Sequence, residues 1–82
     1  MTGPTLTLVS RRDCLLCDEM LAALREFGAG TPLPPLRQLD VDSDPELTRR
    51  YGLQVPVLLL GETLVCRFRF DPAALTRHLG AG

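Results

Sequence analysis

Apolar positions along this chain switch repeatedly between a strand period and a helix period. Residues 5–10 are nearly all β-compatible, the pattern of a strand buried on both faces. Leu16, Met20, Leu24 and Phe27 then recur at helical spacing, with Cys17 and Leu21 beside them. Asp13 is the expected N-cap of that helix and Gly28 its C-terminal stop. Residues 36–41 read as a second strand that ends in acidic turn residues. Ser43 or Asp44 caps a short helix with Pro45 at its first position, Leu47 and Tyr51 as its inward stripe and Gly52 at its end. Val57 to Leu60 is a continuous apolar run, hence a central strand, and Gly61-Glu62 turns it into a strand over 63–68. There Leu64, Cys66 and Phe68 are expected on the core face, with Val65, Arg67 and Arg69 in water. Asp71 caps a last helix that begins at Pro72, with Ala73, Leu75 and Leu79 as its apolar positions.

The order is β-α-β-α-β-β-α. Its opening βαβ unit calls for a parallel pair with a right-handed crossover, and its last two strands for an antiparallel hairpin. The expected class is α/β, a four-stranded mixed sheet with helices on its faces. With 82 residues the chain suits a single domain, residues 1–82. Thr31-Pro32-Leu33-Pro34-Pro35 reads as a loop, because too few residues flank it to build two cores. No internal repeat or low-complexity tract is visible.

Composition narrows the function classes. Hydrophobic content of 45% and charged content of 23% describe a globular chain. A formal net charge of −1 leaves no basic face for nucleic acid, and no polybasic segment suggests a membrane surface. Arg11-Arg12 and Arg49-Arg50 are expected to be solvated pairs. No apolar run approaches the roughly 18–20 residues of a membrane span. Met1-Thr2-Gly3-Pro4 leads straight into a strand pattern, so no secretory leader and a cytoplasmic location are expected. Disulfides in that compartment are usually transient and catalytic, and an odd count of 3 cysteines argues against a fully paired framework.

The chemistry concentrates at Cys14-Leu15-Leu16-Cys17, between the first strand and the first helix. Two cysteines at this spacing can close a disulfide across one helical turn. The first lies at the helix N-terminus, where partial positive charge favours a thiolate. Arg11 and Arg12 favour the thiolate further, whereas the adjacent Asp13 opposes it. The same pair is also half of a zinc or iron–sulfur site, but the only other soft ligands are Cys66 and His78. Cys66 reads better as a small buried hydrophobe, and His78 as a surface residue near a helix C-terminus. Asp40, Asp42, Asp44 and Glu46 lack the glycine and distal glutamate of a calcium loop, and turn and cap duties account for them better. Tyr51 is expected in the core with its hydroxyl at the rim. No metal and no bound cofactor are expected.

The element order, the Cys14/Cys17 pair after the first strand and Val55-Pro56 before the third strand resemble the thioredoxin fold. More closely, the chain resembles the small bacterial glutaredoxin-like proteins. Three stretches carry that resemblance: residues 8–19 around the dithiol, 40–47 in the middle, and 51–58 before the third strand. It covers essentially the whole chain. It implies that Pro56 is cis, and that Val55 offers backbone groups to an extended thiol substrate. Glutaredoxins proper usually carry Pro-Tyr between the cysteines and a Gly-Gly pair after the last hairpin. Here those positions read Leu15-Leu16 and Arg67-Phe68-Arg69-Phe70-Asp71.

The reading that follows is thiol–disulfide oxidoreduction, with Cys14 as nucleophile and Cys17 as resolving thiol. Arg12, Leu15, Val55 and Pro56 are the expected substrate-binding residues. The expected partner is a disulfide-bearing protein or a small thiol, with glutathione as a candidate co-substrate, and the chain is expected to act as a monomer. The competing reading is a non-catalytic module that docks a protein beside Pro56, with Leu15 and Leu16 as an apolar rim.

Overall fold

The computed structural model describes residues 4–80. The lead-in reading of the first residues therefore falls, for residues 1–3, outside the described part. The elements are β1 (Leu6–Ser10), α1 (Leu15–Gly30), β2 (Leu36–Asp40), a 3₁₀ turn (Val41–Ser43), α2 (Pro45–Tyr51), β3 (Val57–Leu60), β4 (Thr63–Arg67) and α3 (Pro72–Gly80). The four strands form one sheet in the order β2-β1-β3-β4. β1 and β2 are parallel, with Leu6 opposite Leu36, while β1–β3 and β3–β4 are antiparallel. The expected mixed α/β sheet is the one observed.

Alternation along β1 builds two cores. Leu6 and Leu8 point to one face, where they meet Met20 and Leu24 of α1, Leu58 and Val65 of the sheet, and Ala74 and Leu75 of α3. Val9 points to the other face, with Val41 and Val57, where Leu47, Tyr51, Val55 and Leu59 pack on them. So α1 and α3 cover one side and the short α2 covers the other. No helix among the described residues is long and apolar enough to cross a membrane.

Several local expectations are corrected. Asp13 does not cap α1: Cys14 does, in extended backbone, and its Sγ accepts the Cys17 N–H at 3.1 Å. Asp13 sits one residue earlier with φ 55°, turning the chain into the helix. Nor does Gly28 stop α1, which continues to Gly30 with Thr31 as its cap. The missing side chain at Gly28 makes room for Leu33, whose Cδ1 would lie 3.0 Å from an added Cβ. The second strand ends at Asp40 rather than Val41, because the Asp40 carboxylate accepts the Asp42 N–H at 2.9 Å and rolls the chain into the 3₁₀ turn.

β4 departs most from simple alternation. Cys66 pairs with Leu58 but Leu64 pairs with Leu59, so Val65 is the extra residue of a β-bulge. Val65 is thereby buried in the main core, and Cys66 packs against that core from a half-buried position. Leu64 and Phe68 are exposed, contrary to the expected face. In α3, Ala74 and Leu75 are the buried pair and Ala73 faces solvent. Asp71 and Asp44 cap as expected: the Asp71 carboxylate takes the Ala74 N–H at 3.0 Å, and that of Asp44 the Glu46 N–H at 2.8 Å.

Candidate functional site

Cys14 and Cys17 are joined by a disulfide, with their Cα atoms 5.2 Å apart. Cys14 is half-buried at the helix cap, whereas Cys17 is 3% exposed within the first turn of α1. Helical geometry explains the difference. The cap residue stands outside the helix barrel, and the residue three positions on falls on the buried stripe with Met20 and Leu24. Leu15, between the cysteines, is 72% exposed.

Sheet register assembles the rest of this end of the molecule. Val9 lies opposite Val57, so the residues before β3 are carried to the end of the sheet where β1 runs toward Cys14. The Val55–Pro56 bond there is cis, the geometry implied by the resemblance. Pro56 is buried, while Val55 is half-buried against the second core. Arg67 lies opposite Val57, so β4 leaves the sheet at the same end. The Phe68 N–H donates to the Pro56 carbonyl at 2.8 Å, which ties the exit of β4 to the proline. Of the sequence-predicted residues, Cys14, Cys17, Leu15, Val55 and Pro56 thus share one end. Arg12 is also there but is displaced toward β2, where it lines a polar recess of about 310 Å³ with Ser10, Arg11, Gln38 and Asp40.

Arg11 stays partly exposed, as its sequence context suggested, but it is paired. Its guanidinium grips both Asp42 carboxylate oxygens, at 2.9 and 3.2 Å, and donates to the Gly52 carbonyl at 2.9 Å. One side chain therefore joins the end of β1 to the turn after β2 and to the end of α2. The contact holds the Asp42 carboxyl below its usual range, mainly through the hydrogen bond from Arg11. Because Asp42 neutralises much of its charge, Arg11 is a weaker influence on the dithiol than its position in sequence implied. Asp40 and Asp44 perform the expected turn and cap duties, while Arg49 and Arg50 pair with Glu46 along exposed α2.

Among the described residues, no three His, Cys, Asp or Glu side chains converge in a way that could hold a metal ion. Cys66 takes part in the core of β4, and burial pushes its thiol above the ordinary range. His78 is half-buried rather than a free surface residue, with its Nδ1 hydrogen-bonded to the Ala74 carbonyl at 2.7 Å. Tyr51 packs against Val9, Val41 and Val57, as expected, and the Arg50 guanidinium lies 6.0 Å from its ring centroid.

Sequence reasoning missed two features of this end. Leu53, just before the cis bond, is 96% exposed. Phe68, expected inside, is 44% exposed and has φ 68°. The sequence does carry one signal for Phe68. It stands in the stretch after the last hairpin where the resemblance would place a glycine pair, and glycine is the residue suited to a positive φ.

The family described as Glutaredoxin-like domain (DUF836) matches residues 5–80. Among solved structures, the chain is similar to the protein Ne2328 of Nitrosomonas europaea, with 29% identity over 95% of this chain and 93% of that one and a TM-score of 0.80. It is similar to the protein XcR50 of X. campestris, with 36% identity over 94% and 97% and a TM-score of 0.71. Oxidised mitochondrial thioredoxin 3 of Saccharomyces cerevisiae, 18% identical over 100% of this chain and 81% of that one with a TM-score of 0.65, shares the fold. No curated protein matches the chain.

Proposed function

This chain belongs to the glutaredoxin-like domain family, and from that premise we propose that it is a thiol–disulfide oxidoreductase working through Cys14 and Cys17. The observation that carries the reading is the Cys14–Cys17 disulfide at the cap of α1, with Cys14 half-buried and Cys17 enclosed. In the reduced form, the Cys17 N–H that meets Cys14 Sγ favours negative charge on that sulfur, as does the helix N-terminus.

The Cys14 thiolate attacks one sulfur of a substrate disulfide. The substrate S–S bond breaks, a mixed disulfide forms, and the first substrate thiolate leaves and takes up a proton. Cys17, as thiolate, then attacks the Cys14 sulfur and expels the second substrate thiol. The substrate has gained two electrons and two protons, and the protein holds the Cys14–Cys17 disulfide. Two equivalents of a small thiol such as glutathione, or a dithiol reductase, return the pair to its reduced form. Val55 and Pro56 orient the substrate backbone, and Leu15 and Arg12 border it. The protein acts as a monomer in a reducing compartment such as the cytoplasm.

Exposed Leu15 and Leu53 favour a second reading, a docking module whose dithiol is incidental. Equilibration in graded mixtures of reduced and oxidised glutathione, followed by alkylation and mass measurement, separates the two. An oxidoreductase titrates between dithiol and disulfide within the glutathione range, with or without a glutathione adduct on Cys14. A pair that stays reduced and adduct-free throughout defeats the oxidoreductase reading. Partner capture that survives Cys14→Ser supports the docking module instead.

A further inference from the structure

We propose that Phe68 is the specificity-determining residue of the dithiol site, selecting protein disulfides in which a large apolar residue neighbours the half-cystine. The proposal rests on the oxidoreductase reading and names its substrate class.

The first observation is backbone geometry. Phe68 has φ 68°, and the Arg69 N–H donates to the Arg67 carbonyl at 2.8 Å across it. A three-residue turn with a positive central φ is rare and strained, and a bulky residue is ill suited to it. The strain is enforced from both sides. The Phe68 N–H is held by the Pro56 carbonyl, and two residues on, the Phe70 ring meets Phe27 edge-on with centroids 5.6 Å apart. Glycine would suit the turn better, yet the residue is phenylalanine.

The second observation is that burial does not explain the ring. Phe68 is 44% exposed, while Phe70 makes the aromatic contact that anchors this corner. Strained residues of this kind concentrate at functional sites.

The third observation is what the ring borders. Phe68, Arg69 and Phe70 form one wall of a groove of about 290 Å³, and Leu16, Glu19 and Met20 of α1 line the other. Leu16 stands between the two cysteines in sequence, and the hydrogen bond from the Phe68 N–H to the Pro56 carbonyl holds the other wall at the same end of the sheet as the dithiol. In this proposal a polypeptide joined through its own sulfur to Cys14 runs along this rim. An apolar side chain next to that half-cystine can settle between Leu16 and Phe68, with the oppositely charged Glu19 and Arg69 at the edge for its main-chain groups. A small hydrophilic disulfide leaves the groove empty.

The test uses two cystine-linked peptide dimers that differ only in carrying leucine or serine beside the cysteine. Steady-state reduction is measured for the wild type, Phe68→Gly and Phe68→Leu, together with thermal midpoints. The wild type is expected to favour the leucine dimer about tenfold in kcat/KM, mostly through KM, a size typical of one apolar contact. Phe68→Gly is expected to bring that ratio close to one without lowering the thermal midpoint, and Phe68→Leu to keep most of it. A wild-type ratio near one, a ratio unaffected by Phe68→Gly, or a loss that follows a lowered midpoint would overturn the proposal and leave the oxidoreductase reading standing. Turnover of neither dimer by the wild type, with no mixed disulfide on Cys14, overturns both.

Discussion

Cys66 and Cys14 are both half-buried, but one packs on the core and the other opens at the end of the sheet. Burial is the main cause that pushes the Cys66 thiol above its ordinary value of 9.0; the nearby Asp71 carboxylate adds to the rise and an Asp71 backbone hydrogen bond opposes it. The folded state therefore holds that proton more tightly than the unfolded chain does. The resulting stability is fully present below the unfolded pKa and is lost as pH rises through the folded one. Replacing Cys66 by alanine is expected to cost about 1 kcal/mol near neutrality through lost packing. Above about pH 9 the variant should lose less stability than the wild type does, and urea unfolding across that range checks both statements. The identity of Cys66 as a small hydrophobe was legible in its apolar neighbours. The tie of Arg11 to Asp42 was not, since the two are 31 positions apart and nothing local marks them as partners.

At the scale of elements, the caps and turns that sequence patterns can reveal are those made within four residues. Asp44 and Asp71 fall in this class, because a carboxylate oxygen meets an N–H two or three positions on. Gly52 ends α2 for a different reason than conformational freedom: its φ is −55°, and an added Cβ would run into the Thr48 carbonyl oxygen. Gly52→Ala is therefore expected to destabilise the fold by about 1–3 kcal/mol, as overpacking against backbone does. Its carbonyl is also a partner of Arg11, so the shift should weaken the hold between β1 and α2. Hydrogen exchange at residues 48–52, compared between wild type and variant, would show faster opening confined first to α2. The bulge in β4 was illegible by the same logic. Alternation predicts faces only while every residue pairs, and the extra residue at Val65 is decided by what β3 offers across the gap.

For the whole molecule, two cores on either side of a four-stranded sheet must supply nearly all the stability. A domain of this size has only about 3–5 kcal/mol to spare. Truncating a fully buried leucine typically costs about 2–5 kcal/mol, so Leu24→Ala or Leu75→Ala is expected to leave much of the chain unfolded at room temperature. Leu53→Ala, at a position 96% exposed, should shift stability by less than about 0.5 kcal/mol. Thermal melts of the three variants check the contrast. The main buried residues of α1 and β1 were readable in advance, because Leu6, Leu8, Met20 and Leu24 follow the two periods without interruption. The covering of the second face was only partly readable, since α2 is short and contributes Leu47 and Tyr51 as half-buried side chains.

By itself the sequence determined the element order, the dithiol at the mouth of the first helix and the family resemblance. These follow from periodicity, local capping and short-range spacing, which act between residues a few positions apart. Only the tertiary structure decided that Arg11 fastens three elements together, that Val65 turns inward while Leu64 turns out, and that Phe68 stands exposed in a left-handed turn beside Pro56. Each of those depends on groups far apart in the chain. Their meeting is settled by how strands register and how two faces fill, not by the identity of the residues alone.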